Sequence, residues 1–194
     1  MRKLDQGIVL VRVRPEDGYS LAEVLIVVCL MAIVAGMAVP VAGGFLHQRK
    51  ADSGIVSTMT AVTAARDRAV AERRNIQLTF VEPNRIDVSR VEIPSGTLTL
   101  VQSFTIDNGM RFLKFAAVPD TPDKFGATSA YSFTGTLPVM FSSDGSLIDS
   151  SGDVSNGTIF VGLPNQADTA RAVTIFGASG LTRAWKWRGS KWME

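Results

Sequence analysis

The sequence predicts an α+β protein in which one long N-terminal helix packs on an antiparallel β-sheet or small β-sandwich. Three patterns support this fold class. An uncharged apolar run extends from Val24 to Val41, a stripe of apolar residues at helical spacing continues to about Asn75, and short β-type runs separated by turn residues follow from Ile76. Helix followed by a series of strands is an element order typical of the α+β class.

The apolar run approaches the thickness of a bilayer when it is helical. An α-helix rises about 1.5 Å per residue, and about 20 apolar residues cross the hydrocarbon core, with a lower limit near 17. The run from Val24 to Val41 falls in that range, and Tyr19 to Ala22 extend it. Glu23 lies at its edge, where a carboxylate costs roughly 2.5–3.5 kcal/mol on insertion scales. Glu23 is therefore a functional candidate that needs a partner.

The segment Gly18-Tyr19-Ser20-Leu21-Ala22-Glu23 resembles the processing site of the type IV pilin and pseudopilin superfamily. Members of that superfamily carry a short leader ending in glycine, a glutamate at mature position five and often a proline at mature position twenty-two. Counting from Tyr19 as position one, Glu23 is position five and Pro40 is position twenty-two. Tyr19 departs from the pattern, because Phe or Met is usual at that position.

The resemblance implies a role for each of these residues. A prepilin peptidase would cut between Gly18 and Tyr19 and methylate the new amine of Tyr19. Glu23 would pair with the Tyr19 amine of a neighbouring subunit in a filament, and Pro40 would kink or loosen the helix because it lacks a backbone donor. The expected divisions are a cleaved leader at 1–18, a transmembrane and filament-core helix at 19–42, an amphipathic continuation at 43–75 and a globular β domain at 76–194.

Charges around the apolar run predict its orientation. Four cations precede it, so the positive-inside rule predicts a cytoplasmic N-terminus and an exported C-terminal domain: Arg2, Lys3, Arg12 and Arg14. The expected location is the bacterial inner membrane, crossed once, with a filament formed on assembly. An ordinary secretory signal peptide is the alternative, with cleavage after Ala38 or Ala42. A mature chain beginning at Tyr19 or near Gly43 distinguishes the two.

The second half of the predicted helix is amphipathic. One stripe recurs at intervals of three and four residues and suits packing on a sheet: Ala51, Ile55, Met59, Val62, Ala65 and Ala69. Arginines near the end of this helix are expected to complement the helix dipole, at roughly 0.3–1 kcal/mol each: Arg66, Arg68, Arg73 and Arg74.

Eight β-type runs are expected after the helix, bounded by turn dipeptides such as Pro83-Asn84, Asp144-Gly145 and Asn156-Gly157. They are Ile76–Val81, Arg85–Ile93, Thr97–Ile106, Met110–Ala116, Leu137–Ser142, Thr158–Gly162, Ala172–Gly177 and Leu181–Trp187. Two segments, 66–80 and 141–146, resemble the GspH/FimT-like minor pseudopilins. In that family an arginine-rich helix end and an asparagine lead into an apolar strand.

Enzyme chemistry and metal binding are not expected from this sequence. The only histidine is His47, and no cluster of Cys or His has metal-ligand spacing, so we predict no catalytic residues, no cofactor and no metal. Asp144, Asp149 and Asp153 are expected to serve turns rather than a Ca²⁺ site. Cys29 lies inside the apolar run and is expected to be a small apolar residue of that helix.

The C-terminal segment offers a second function. Between positions 183 and 192, cations alternate with Trp185, Trp187 and Trp192, a mixture that can follow phosphates and stack on bases. Some minor pilins of this family take up DNA through a Gly-Arg-x-Arg motif, from which Gly180-Leu181-Thr182-Arg183 departs. The candidate contacts are Arg183, Lys186, Arg188 and Lys191. A tryptophan face against the core with solvated cations outside is the simpler interpretation.

These patterns together predict a minor pilin or pseudopilin subunit that supports protein secretion or pilus biogenesis. Its expected partners are the prepilin peptidase, other pilins in a filament and the inner membrane before assembly. A DNA-binding minor pilin for natural transformation is the alternative. The sequence leaves open whether the machine is a secretion system, a motility pilus or a competence pilus.

Overall fold

The computed structural model describes residues 19–194, and for residues 37–43 it describes the backbone alone. The chain divides into two compact units, Met1–Ala42 and Gly43–Glu194. Helix α1 covers Leu21–Glu72. A search of the described residues finds no helix that is both long enough and apolar enough to cross a membrane.

Helix α1 ends earlier than the sequence pattern indicates. We expected helix to about Asn75, but it stops at Glu72 because Arg73 adopts a left-handed backbone with φ of 52°. The Arg74 N–H then donates to the Ala69 carbonyl at 3.2 Å, which satisfies one of the carbonyls that a helix end leaves free. The last turn of α1 consequently holds no cation, and Arg73 and Arg74 lie beyond it.

Eleven strands follow α1 in the described part of the chain. They are β1 (Ile76–Val81), β2 (Arg85–Val91), β3 (Leu98–Thr105), β4 (Arg111–Phe112), β5 (Tyr131–Phe133), β6 (Val139–Phe141), β7 (Leu147–Ile148), β8 (Gly157–Leu163), β9 (Gln166–Phe176), β10 (Leu181–Trp187) and β11 (Trp192–Met193). All of their pairings are antiparallel, so the α+β class is confirmed. Strands β1 and β10 have the expected bounds, whereas β5, β7 and β11 were not expected.

The strands form two sheets. Sheet A has the order β3-β2-β1-β6-β7, and sheet B has the order β11-β10-β9-β8-β4, with β5 also paired to β8. The bulge between β2 and β3 lies at Val88 and Ser89. The expected run Met110–Ala116 is a strand only over Arg111–Phe112, because the chain then leaves sheet B to form a long loop.

One apolar core joins the amphipathic part of α1 to both sheets. The buried helix positions include five of the six expected stripe residues, and Met59 alone is only half-buried. They pack with residues of both sheets, including Leu78, Phe141 and Ile175. Gly54 permits the close approach of the loop before β4, since a Cβ at that position would lie 2.9 Å from Met110 Cγ.

Sheet B is buried on both faces. Ile159, Val161 and Ile175 face the main core. The residues between such positions, for example Phe160 and Ala172, point to the opposite face and pack in separate clusters there. The second face is covered by the loop after β4, through residues that include Val118 and Ala127. This double burial explains why every residue of β8 is buried.

Candidate functional site

The N-terminal end of α1 contains two of the residues that the sequence singled out. Tyr19 is exposed just before the helix, and Glu23 is in its first turn. Ser20 caps this end: its carbonyl accepts from the N–H groups of Glu23 and Val24 at 2.9 and 3.2 Å, and its hydroxyl accepts from the Ala22 N–H at 3.3 Å. The sequence analysis missed this cap, although serine three residues before a glutamate is a recognised helix start. Gly18 lies outside the described residues.

The Glu23 carboxylate has a favourable location for an acid. A helix N-terminus carries roughly half a positive charge, so an acid in the first turn is stabilised there by about 0.3–1 kcal/mol. Glu23 shares a shallow surface groove with Tyr19 and with the apolar residues Val24, Val27 and Val28. An anionic group beside an aromatic and an aliphatic surface can bind a cation that arrives with an apolar segment.

The helix surface beyond Glu23 is apolar and exposed. Nine large apolar side chains between positions 24 and 34 have exposed fractions from 45 to 69%: Val24, Leu25, Ile26, Val27, Val28, Leu30, Met31, Ile33 and Val34. Soluble monomers rarely leave a contiguous apolar surface of this extent uncovered. Cys29 is exposed among these residues. Position 40 is helical, and the side chain of Pro40 lies outside the described part of the chain.

The C-terminal tryptophans are largely buried. Trp185 and Trp187 are 8% and 7% exposed, against the loop after β4. The Trp185 Nε1–H donates to Asp123 Oδ2 at 3.0 Å, and the Trp192 Nε1–H donates to the Pro119 carbonyl at 3.1 Å. Neither Trp185 nor Trp187 offers a free ring face of the kind on which a base stacks.

The four C-terminal cations fall into two pairs with different surroundings. The Arg183 guanidinium lies 3.1 Å from Asp123 and over the ring of Phe176, and the Lys186 ammonium lies 3.4 Å from Asp52. Arg188 and Lys191 are exposed at the turn between β10 and β11. Lys186 therefore faces α1, and it is not on the solvated outer face that the strand alternation suggested.

Arg171 is a buried cation that the sequence analysis did not identify. Its side chain is 0% exposed, and it donates to Asp52 at 3.1 Å and to Gln48 Oε1 at 2.7 Å. Desolvation lowers the pKa of the guanidinium, while the hydrogen bond to Asp52 opposes that change. Asp52 thus receives two cations, Arg171 and Lys186, and joins α1 to sheet B.

Two of the arginines near the end of α1, Arg66 and Arg68, bind neighbouring groups, and Arg90 of β2 joins them there. Arg68 and Arg90 both contact Glu72, at 2.8 and 3.3 Å, and Arg90 also contacts Glu92 at 2.7 Å. The hydrogen bond from Arg90 lowers the pKa of Glu92. Arg66 donates to the Ser179 carbonyl at 3.2 Å, so it helps to fix the turn before β10.

Two of the acidic turn residues organise their own loops. Asp149 accepts backbone hydrogen bonds from Thr136, Ser151 and Asp153, and these bonds lower its pKa, with Thr136 first, despite partial desolvation. Asp144 accepts from both the N–H and the hydroxyl of Ser146, which lowers its pKa. Within residues 19–194, no group of three or more His, Cys, Asp or Glu residues is arranged to hold a metal ion.

Comparison with known proteins returned solved structures alone. No protein-family model matches the chain, and no curated protein matches it. The type IV minor pilin FimU of Pseudomonas aeruginosa is similar with a TM-score of 0.49 and 13% identity, over 77% of this chain and 97% of that chain. The minor pseudopilin EpsH of the type 2 secretion system of Vibrio cholerae is similar with a TM-score of 0.47 and 13% identity, over 71% and 97%.

Both neighbours are minor subunits, one a type IV pilin and the other a pseudopilin. With 13% identity and TM-scores below 0.5, these likenesses concern the fold alone.

Proposed function

We propose that this chain is a minor pilin or pseudopilin, a structural subunit that is processed by a prepilin peptidase and assembled into a filament. The peptidase would cleave between Gly18 and Tyr19 and methylate the Tyr19 amine. The spacing of Tyr19, Glu23 and Pro40 supports this proposal, because two landmarks fall in register with one cleavage point. The subunit acts by assembly and carries out no bond chemistry of its own.

The exposed apolar surface of α1 is the observation that carries the proposal. Apolar surface left in water costs roughly 25 cal/mol per Å², so a chain with nine exposed large apolar side chains in one short segment needs a covering. Lipid provides that covering before assembly, and the helices of neighbouring subunits provide it afterwards. Transfer of the helix from lipid to the filament leaves the hydrophobic contribution to its free energy nearly unchanged.

Glu23 would set the axial alignment of the packed helices of neighbouring subunits. A free α-amine has a pKa near 8 and is cationic at neutral pH, so the processed Tyr19 amine complements the Glu23 carboxylate of the next subunit. An ion pair in an apolar environment is favourable only when both members are present, because an unpaired buried charge costs several kcal/mol. Misaligned helices would leave Glu23 unpaired, and the aligned arrangement is therefore preferred.

The proposed location is the bacterial inner membrane, with the C-terminal domain on the far side from the cytoplasm. The cations of the leader support this orientation. The proposed span covers residues 19–42 and includes Met37–Ala42, whose side chains lie outside the described part of the chain. A type II secretion pseudopilus and a type IV pilus both fit such a subunit.

Processing is tested first by the mass and N-terminal sequence of the protein made in a cell with its prepilin peptidase. We expect a chain that begins with N-methyl Tyr19 and has lost residues 1–18. In a strain without the peptidase, the full-length chain should remain. A mature chain that begins near Gly43 would indicate an ordinary signal peptide and contradict the proposal.

Assembly is tested by substituting Glu23. We expect Glu23→Ala to be processed normally but to be at least about tenfold less abundant in sheared filaments than the wild type. A loss of about 1.4 kcal/mol of pairing free energy changes an equilibrium tenfold. Glu82→Ala, which removes an exposed acid of the β domain, is the matched control and should enter filaments as the wild type does. Normal incorporation of Glu23→Ala would defeat the proposed pairing.

A further inference from the structure

Strand β3 differs from the other strands at the sheet edges. In the described residues, the edges of the two sheets are formed by β3, β7 and β11, and by β4 and β5, which both pair with the same side of β8. β4, β5, β7 and β11 have only two or three residues each, whereas β3 has eight. Native proteins keep free edges short, charged or covered because an open edge presents unpaired N–H and C=O groups to any other strand.

β3 also lacks the charges that protect an edge. Residues 93–106 contain no Asp, Glu, Lys, Arg or Pro other than Pro94 in the preceding turn. Leu98 and Leu100 are 50% and 59% exposed, and Ile93 in the adjoining turn is 69% exposed. The charges of the neighbouring β2 are already paired, Arg85 with Asp87 at 3.0 Å and Arg90 with Glu92 at 2.7 Å. The edge strand therefore carries no charge, exposes two leucines among polar residues, and has no strand paired to its outer side in the described part of the chain.

We propose that β3 is a homodimer interface, in which two copies of this chain pair their β3 edges antiparallel about a two-fold axis at Thr99. A β-strand is the occupant because only a strand satisfies a row of alternating backbone donors and acceptors. A second copy is the occupant because two-fold pairing places each side chain near its own counterpart. Like charges directly opposite each other are destabilising, and β3 has none.

The axis at Thr99 follows from the two leucines. Leu98 and Leu100 are two residues apart and share one face of the strand. Antiparallel pairing with Thr99 opposite Thr99 places Leu98 of each copy opposite Leu100 of the other. This register forms a cluster of four leucines on one face. No other register of this strand pairs both leucines with leucines.

Disulfide trapping in the full-length chain tests both the interface and its register, because a short edge pairing is too small to give a tight dimer. In the Cys29→Ser background, we compare Thr99→Cys with Thr105→Cys, two exposed threonines of the same strand. At position 99 the two cysteines would lie directly opposite each other. At position 105 they would lie about 40 Å apart, since each is six residues from the axis.

We expect disulfide dimers to form about tenfold faster at position 99 than at position 105 in detergent micelles, because a disulfide needs a Cα separation of about 4.4–6.8 Å. The apolar helices also bring chains together in micelles, and the Thr105→Cys chain reports that background. Equal rates at the two positions, or no dimer at position 99, would overturn the proposal. Selective trapping of a different pilin at position 99 would assign the edge to another occupant and would equally overturn it.

Charge substitution gives an independent test of the register. Leu100→Lys and Leu98→Glu, each alone in the Thr99→Cys chain, should slow trapping by placing a charge opposite a leucine. Together in one chain they place Glu opposite Lys twice across the axis, so trapping should recover. Because both leucines are exposed, the substitutions should leave the unfolding transition unchanged. Failure of the double variant to recover would contradict the register, while the filament proposal does not depend on the outcome.

Discussion

The fully buried guanidinium of Arg171 is held by the carboxylate of Asp52 at a distance of 3.1 Å. The two residues come from sheet B and from α1, and they are 119 positions apart in the sequence. Gln48 Oε1 and the carbonyls of Asp168 and Ala170 accept the remaining guanidinium hydrogen bonds. The pair is thus the centre of a polar cluster that joins α1 to sheet B and also includes Gln48 and Lys186.

Removal of the Asp52 carboxylate should destabilise the domain. Asp52→Ala leaves the buried Arg171 without its anion, and hydrogen bonds to charged groups contribute about 1.5–3 kcal/mol. We expect a loss of that order in the free energy of unfolding, measured by urea titration with tryptophan fluorescence, since all three tryptophans lie in sheet B. Asp67→Ala is the matched helix control. Its 3.8 Å contact with Arg66 is exposed, so its loss should cost at most about 1 kcal/mol.

Asp123 should hold the loop after β4 on sheet B. Its carboxylate accepts from the Thr174 hydroxyl at 2.6 Å, from Trp185 Nε1 at 3.0 Å and from Arg183 at 3.1 Å. Asp123→Ala should therefore speed trypsin cleavage at the exposed neighbour Lys124. Asp107→Ala, which removes an exposed acid of another turn, should leave that rate unchanged. Equal cleavage in the two variants would show that Asp123 does not restrain the loop.

Asp149 should make stability depend on pH in the acid range. Its backbone hydrogen bonds lower its pKa in the folded chain below the unfolded value of about 3.9. A depressed pKa gives stability that is present above pH 4 and is lost as the pH falls through the folded pKa. Asp149→Asn should unfold at lower urea at pH 7, and its midpoint should change less than that of the wild type between pH 4 and pH 2.

Asp153→Asn is the control for this pH dependence. Asp153 lies in the same turn, and its backbone N–H donates to Asp149 whichever side chain it carries. The Asp153→Asn midpoints should follow those of the wild type across the pH range. If Asp149→Asn and the wild type lose stability in parallel on acidification, other carboxylates are responsible for the pH dependence.

DNA binding is tested most clearly with Arg188 and Lys191. Substitution of Arg183 or Lys186 would also break ion pairs with Asp123 or Asp52, so a loss of binding would be ambiguous. Because Trp185 and Trp187 are buried, we expect the wild-type chain to retain duplex DNA no better than Arg188→Ala/Lys191→Ala at physiological salt. A salt-sensitive shift that the double variant weakens would support DNA uptake instead, since each lost phosphate contact reduces the salt slope by about 0.9.

Local sequence signals predicted much of this fold. Strands β1 and β10 are flanked by turn residues, and parts of each alternate apolar with polar positions, Ile76 to Phe80 in β1 and Trp185 to Trp187 in β10, so their bounds follow from the pattern. The stripe on α1 repeats at helical spacing and is buried as expected, apart from Met59. The helix end was misplaced because nothing in the arginine-rich sequence distinguishes the left-handed Arg73 from a helical residue.

Local sequence patterns do not specify contacts between distant segments. The Asp52–Arg171 pair and the three donors of Asp123 depend on how the sheets and the loop after β4 meet, which no local pattern specifies. Short strands such as β5 and β11 exist because longer neighbours pair with them, so their own residues carry a weak signal. The Ser20 cap, in contrast, was available from the spacing of Ser20 and Glu23.

The hydrogen bonds that Arg171 donates to Gln48 and Asp52 have a mechanical consequence. Among the described residues, Gln48 is the earliest position of α1 with a side-chain hydrogen bond to sheet B, so we expect a pull on the N-terminal part of the helix to reach sheet B through Gln48 and Asp52. The load is then shared by the hydrogen-bonded strands on either side of β9. An ion pair and a hydrogen bond at this position would resist separation of the helix from the sheets under force more strongly than apolar contacts alone.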